Sequence, residues 1–284
     1  MTLTVAHPGL VRRLFAACTL GATLCATLGT TLLHAQADSA KKEKQQLFTM
    51  TDAAIGVGFT ALTFAVYPSD KSMAQRMQTQ RTIASESLDQ LITGFDRFAV
   101  PGVLVASAGA YAFGKLAHEP TLADIGWHTS EAMIVGAIAT ELVKGFAGRS
   151  RPFVTADSNP HDWNFGAGFG SESRQSFPSG HTMTAFAAAA ALSSEVQLHW
   201  PRYAWPARIA LYGGASMVGL ARMYRNQHWA SDVALGAGIG TMAGLKTVRY
   251  GHLHENNFVD KILLHTTVVP AMRGGSIGWS AAFR

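Results

Sequence analysis

Cysteine is nearly absent from this chain of 284 residues: its two, Cys18 and Cys25, both lie in an N-terminal apolar stretch. Beyond that stretch there is no disulfide framework, so stability in an oxidising compartment must come from packing. Charge is scarce too, with Asp, Glu, Lys and Arg making up 14% of the residues. Hydrophobic residues make up 48%, which excludes a disordered chain. No dense Lys/Arg block with interleaved aromatics occurs, so there is no nucleic-acid signature despite a formal charge of +5. That charge fits anionic substrates or an anionic lipid surface without selecting one. Alternating β patterns are rare, and no internal repeat is defensible. What remains is rich in alanine and in 28 glycines, a composition for closely packed helices or a membrane relationship.

Residues 1–37 have the organisation of a secretory signal. Arg12 and Arg13 supply a positive start, "LFAACTLGATLCATLGTTLL" an uncharged apolar core, and Ala35-Gln36-Ala37 a small-residue cleavage pattern. Cleavage there leaves Asp38 as the mature N-terminus and lowers the formal charge from +5 to +3 by removing the two arginines. The rival reading is an uncleaved anchor. Residues 38–50 form a polar lead-in, and 51–284 a single domain. Apolar segments follow at about Thr51–Tyr67, Phe98–Leu116, Thr121–Phe146, His181–Val196, Ala207–Ala221 and Asp232–Val248, with a polar helical stretch from Ser69 to Leu91. This pattern predicts an all-α bundle of about six core helices. Phe153–Phe177, rich in Gly, Ser, Asn and aromatics, is a long irregular loop of the kind that carries function. The tail "GGSIGWSAAFR" has weak period-2 character and reads as a short strand without an evident partner.

Three separated blocks carry one kind of chemistry. "KGFAGRSRP" places Lys144 near a helix end and Arg151 on the exit loop before Pro152. Alone, such cations are ordinary at a helix C-terminus. "FPSGH" sets Pro178, Ser179, Gly180 and His181 against an alanine-rich run. Free N–H groups at a helix start bind oxyanions, Gly180 allows close approach, and Ser179 can add a hydroxyl. The bland alternative is a serine N-cap with an incidental histidine. "ARMYRNQHWASD" holds Arg222, His228 and Asp232. His228 and Asp232 lie at i and i+4 if helical, or Asp232 sits in a first turn beside the histidine. Either way the carboxylate can orient the ring and leave one nitrogen free.

Together the blocks resemble the type-2 phosphatidic acid phosphatase superfamily, which also holds bacterial acid phosphatases and vanadium haloperoxidases. Its pattern K-x6-RP, PSGH, SR-x5-H-x3-D is matched from Lys144 to Asp232, with Ala221 standing where the pattern has serine. The resemblance implies a phosphohistidine mechanism that needs no cofactor and no metal. Lys144, Arg151, Ser179, Gly180 and Arg222 would bind the phosphate, His228 attack it, Asp232 steady His228, and His181 handle the leaving-group and water protons. "HLHE" at His252–Glu255 has the look of a metal motif, but no further ligand set is placed with it in the sequence.

The resemblance implies a phosphorylated lipid or a small phosphate ester as substrate, and a site facing outward. Three crossings at the first three apolar segments would put Lys144 inside, and the uncharged cores Thr182–Ser194 and Val233–Leu245 are short for spans. The expectation is an exported protein, periplasmic or membrane-associated with its site facing the periplasm: a bundle that packs on itself and touches a membrane through Thr51–Tyr67 or Phe98–Phe113, with a membrane-spanning bundle as the rival reading. Trp163, Phe165 and Phe169 on the long loop fit a lipid substrate or loop self-packing. A soluble-ester acid phosphatase, a vanadate-dependent haloperoxidase and a non-catalytic phosphate binder are the other readings.

Overall fold

A computed structural model describes residues 47–83, 86–154, 159–254, 257, 260, 266–269 and 276–279. The signal and cleavage site expected within 1–37, and nearly all of the lead-in, lie outside the described residues. Seven α-helices are present among the described residues: α1 (Met50–Val66), α2 (Asp70–Ile83), α3 (Glu86–Ala117), α4 (Pro120–Ala147), α5 (Gly180–His199), α6 (Ala204–Tyr224) and α7 (Ala230–Leu253). The all-α expectation holds, with two differences. The polar stretch Ser69–Leu91 holds α2 and the first residues of α3, which continues through the following apolar segment for 32 residues with Pro101 inside it. The C-terminal strand, Ser276–Trp279, has a partner: it pairs antiparallel with Thr266–Val269.

α5 is the central helix. Its alanines from Ala185 to Ala191 are nearly all buried, because a run of methyl side chains lets neighbours approach closely. α7 meets it with a stripe of glycines. A Cβ at Gly236, Gly240 or Gly244 would stand 2.5, 2.2 and 2.5 Å from the carbonyl oxygens of Ser179, Met183 and Ala187. α7 is thereby held backbone to backbone along α5, and its start lies beside the start of α5. α1 is fixed to α7 by Asp52, which closes a capping box with Thr49 and pairs with Lys246 and Arg249. The ends that matter for function coincide: the C-terminus of α4 and the N-termini of α5 and α7 meet under the 148–179 loop.

The outer helices bear on the expected membrane contact through Thr51–Tyr67 or Phe98–Phe113. Val57 and Phe64 on α1, Val105 and Phe113 on α3, and Ile138 and Leu142 on α4 are all exposed. Two stretches, Met50–Thr79 and Val100–Ala117, are long and apolar enough to cross a membrane, and only 11% of each apolar window is buried. The core helix of a water-soluble protein would bury such a window; here the interior is already filled by α5 and its alanines.

Candidate active site

Each cationic and imidazole residue singled out in the sequence arrives at this end of the bundle for a local reason. α4 stops at Gly148, whose φ of +56° closes the helix through an N–H bond to the Lys144 carbonyl. Any side chain there would also strike the Asn164 carbonyl oxygen, 1.8 Å from the Cβ position. That turn leaves Lys144 in the last helical turn and sends Arg149 and Arg151 into the loop. Lys144 Nζ lies against Gly180, 2.9 Å from where a Cβ would be, and is steadied by Glu141 at 2.6 Å. Gly180 is thus a close-approach position between the two blocks.

α5 begins at Gly180 with Ser179 as its cap. Here the structure differs from the expected donor role. Ser179 is fully buried; its hydroxyl accepts from the Thr182 N–H at 3.5 Å and shares a hydrogen bond with the Thr182 hydroxyl at 2.8 Å. Its side chain serves the helix start. The N–H groups of Gly180 and His181 have no acceptor among the described residues and are the donors this end offers an oxyanion.

His228 lies just before α7 and is buried. Its Nδ1 is 2.7 Å from the Ser176 carbonyl oxygen. A carbonyl only accepts, so Nδ1 carries the proton and Nε2 keeps its lone pair. Asp232 was expected to hold this ring directly, but its Oδ2 is 3.7 Å from Nδ1. Being the third residue of α7, it caps the Trp229 N–H at 2.8 Å and accepts the Ser176 hydroxyl at 2.5 Å. Asp232 therefore positions Ser176, and the Ser176 carbonyl orients His228. Its charge remains close enough to favour a positive ring.

The charges converge on one pocket. Burial pushes the His181 pKa down, and Arg222, His228 and Lys144 press it further; with Asp96 opposing, the result is about 4. Burial also lowers the His228 pKa, with Asp232 opposing and the cations Arg222 and Arg151 reinforcing the shift. Arg151 donates to Gln227 at 2.7 Å, and Arg222 to Asp96 on α3 at 2.6 Å. The Nε–H groups of both arginines are buried without an acceptor among the described residues. Two guanidinium groups, an ammonium and two imidazoles lie close enough to act on one another's charge, and with the two free backbone N–H groups of α5 they make up a donor set that fits a phosphoryl group. One consequence is measurable: saturating inorganic phosphate is expected to raise the His181 pKa from about 4 by at least about one unit, because an anion offsets the cations that lower it. Histidine NMR titration with and without phosphate reads this, and an unmoved pKa contradicts the shared pocket.

Sequence reasoning missed the residue that ties the site together. Arg149 is completely buried and donates to Asp70 on α2 at 2.7 Å, Asp232 at 2.6 Å, Ser231 Oγ at 2.8 Å and the Pro160 carbonyl at 2.9 Å. Tyr67, Trp163 and Trp229 surround its guanidinium at 5.1, 4.8 and 5.3 Å. Trp163 is therefore half-buried against Arg149, whereas Phe165 and Phe169 are exposed on the same loop. Asp96 and Ser176 were missed as well; an isolated acid in an apolar run was the available signal for Asp96.

Comparison with known proteins agrees with this geometry. Residues 126–254 match the family described as the PAP2 superfamily, a stretch that contains all eight residues singled out in the sequence. A protein of Porphyromonas gingivalis named lipid A 1-phosphatase is 45% identical over 69 residues, 24% of this chain and 15% of that protein's own length. A lipid A 1-phosphatase of Rhizobium etli is 28% identical over 181 residues, 60% of this chain and 72% of that protein. Among solved structures, a transmembrane PAP2 type phosphatidylglycerolphosphate phosphatase from Bacillus subtilis shares the fold, with a TM-score of 0.52 at 20% identity over 73% of this chain and 98% of that one.

Proposed function

From the match of residues 126–254 to the PAP2 superfamily, we propose that this protein is a phosphatase acting on a membrane lipid phosphate through a phosphohistidine at His228. The observation that carries this reading is the pair of buried, unpartnered Nε–H donors of Arg151 and Arg222, two cations whose charge acts on His228, a histidine whose Nδ1 is held by the Ser176 carbonyl. His228 Nε2 attacks phosphorus while Lys144, Arg151, Arg222 and the free N–H groups of α5 hold the phosphoryl oxygens. The bond from phosphorus to the ester oxygen breaks, and that oxygen takes a proton from His181. A water then gives its proton to His181 and its oxygen to phosphorus, and the P–N bond breaks to release phosphate. Phosphate in the pocket brings His181 nearer to the protonation state the first step needs.

The lipid part rests on the exposed apolar faces of α1, α3 and α4 and on relatives named lipid A 1-phosphatase. The chain sits in a membrane by those faces, with the helix ends that bear the pocket at its surface. After alkaline carbonate extraction the protein is expected in the membrane pellet; full release into the supernatant contradicts this seating. Phosphate release from lipid A 1-phosphate, phosphatidylglycerophosphate, phosphatidic acid, polyprenyl pyrophosphate and a water-soluble aryl phosphate tests the substrate class. A lipid phosphate is expected to give the highest kcat/KM, and an aryl phosphate that matches or exceeds all lipids contradicts it.

A further inference from the structure

The opposite end of the bundle holds a second cluster that phosphate chemistry does not use. His128 on α4, Glu195 on α5 and His252 on α7 bring their ligand atoms within 4.8 Å of one another. They lie 16, 14 and about 20 residues along their helices from Lys144, His181 and Asp232, so roughly 20–30 Å from the phosphate pocket at 1.5 Å per residue. Glu195 is the centre. Its Oε1 is 2.6 Å from His128 Nδ1 and 3.1 Å from His252 Nε2, and its Oε2 is 3.3 Å from His199 Nε2. Three imidazole nitrogens thus converge on one fully buried carboxylate.

We propose that His128, Glu195 and His252, with His199 as fourth ligand, form a site for a divalent cation of the zinc class. The donor chemistry is that of zinc: imidazole nitrogen plus carboxylate oxygen, with four ligands to hand. Ligands about 2.0–2.1 Å from a tetrahedral ion stand roughly 3.3 Å apart; the carboxylate–imidazole separations of 2.6–3.3 Å are near that spacing, and the ligand atoms of His128, Glu195 and His252, all within 4.8 Å of one another, close around the ion from there.

A second observation points the same way. His128 Nε2 is buried and has no hydrogen-bond partner among the described residues. It faces Asp260 Oδ2 at 3.9 Å. Asp260 is itself held by Trp127 Nε1 at 2.7 Å and Asn257 Nδ2 at 2.5 Å. A metal-bound histidine gives its outer N–H to a carboxylate, a backbone carbonyl or water, and here a carboxylate is already braced in place near it. The rival account is a buried network of protons and charges with no ion. The ion would clamp the far ends of α4, α5 and α7, the three helices whose near ends build the phosphate pocket.

The test uses the full chain purified in detergent and stripped with EDTA. Zn²⁺ is titrated against a chromophoric chelator, and Co²⁺ is added to report coordination by its visible spectrum. One Zn²⁺ per chain with a Kd below about 1 μM is expected, with a tetrahedral Co²⁺ spectrum. His252→Ala and Glu195→Gln each weaken binding by at least about 100-fold, and Asp260→Asn by about 10- to 100-fold. His228→Ala leaves the affinity unchanged, which separates this site from the phosphate pocket. Glu195 is deeply buried, so if Glu195→Gln does not fold, the partly exposed His252→Ala decides alone. No binding to the wild type at about 100 μM Zn²⁺, or an unchanged affinity in His252→Ala, overturns the proposal.

Discussion

His228→Ala is expected to lower phosphate release by at least about 10⁴-fold on every substrate, the scale of loss when an enzymatic nucleophile is removed. The reason lies in one hydrogen bond. With Nδ1–H bound to the Ser176 carbonyl, Nε2 has a free lone pair and a fixed direction. His181, the other imidazole in this field, has no such bond to fix its tautomer among the described residues, which leaves it the proton-transfer role. His181→Ala behaves differently, because its task is proton transfer, worth about 10²–10⁴-fold. Its cost should depend on the leaving group. An alkyl or sugar phosphate needs the proton and loses the full factor in the first step; an aryl phosphate leaves unaided and loses only in the second. Protein yield and thermal unfolding must match wild type for either result to count. Full activity in His228→Ala would remove the nucleophile from the account.

Arg149→Met is expected to lower the stability of the fold by about 3–5 kcal/mol, a fall in Tm of roughly 10 °C, through groups that never touch substrate. Arg149 is buried with Asp70 and Asp232, and its two terminal nitrogens serve one carboxylate each. Removing it strands two carboxylates in the interior, and the cost is that of desolvated charge without a partner. A second variant separates this from lost packing. Asp70→Asn added to Arg149→Met takes one stranded charge away and should recover part of the Tm, since breaking a buried pair costs more than replacing it. Thermal unfolding in detergent reads both. A Tm within about 2 °C of wild type for Arg149→Met contradicts the network's role. Loss of Arg149 also releases Asp232, and with it Ser176 and the orientation of His228, so activity should fall even where the protein survives.

The site was legible in the sequence where its signals are local. Lys144, Gly180, His181, Arg222 and His228 sit within a few residues of helix ends, and cap chemistry, a glycine or a proline marks each end. Arg149 lies two residues before Arg151 in the same block, yet nothing local distinguishes it, because Asp70 and Asp232 are 79 and 83 residues away. Asp70 looked like part of a solvated polar helix face. The partner of His228 is a backbone carbonyl, which leaves no side-chain signature at all. The spacing of His228 and Asp232 was compatible with a side-chain bond across one helical turn. The helix instead starts at Ala230, and Asp232 turns back to cap it.

The fold was legible to the same degree. Alanine and glycine richness announced close helix packing, and the helix bounds agree within about five residues except where Ser69–Leu91 meets Phe98–Leu116, since α3 already begins at Glu86. The uncharged cores Thr182–Ser194 and Val233–Leu245 are short because they belong to interior helices. The exposed apolar faces lie on α1 and α3, the segments where membrane contact was expected. "HLHE" offered only one end of a ligand set whose other members come from α4 and α5, 124 and 57 residues earlier than His252 in sequence.

The most direct measurement is to trap the covalent intermediate. His181→Ala, mixed with a ³²P-labelled aryl phosphate and quenched in base, should give a burst of aryl alcohol and close to one phosphate bound per chain. That phosphate should be stable in base, labile in acid, and located on the peptide containing His228. Turnover without a burst and without bound phosphate, or label on any other residue, contradicts the account.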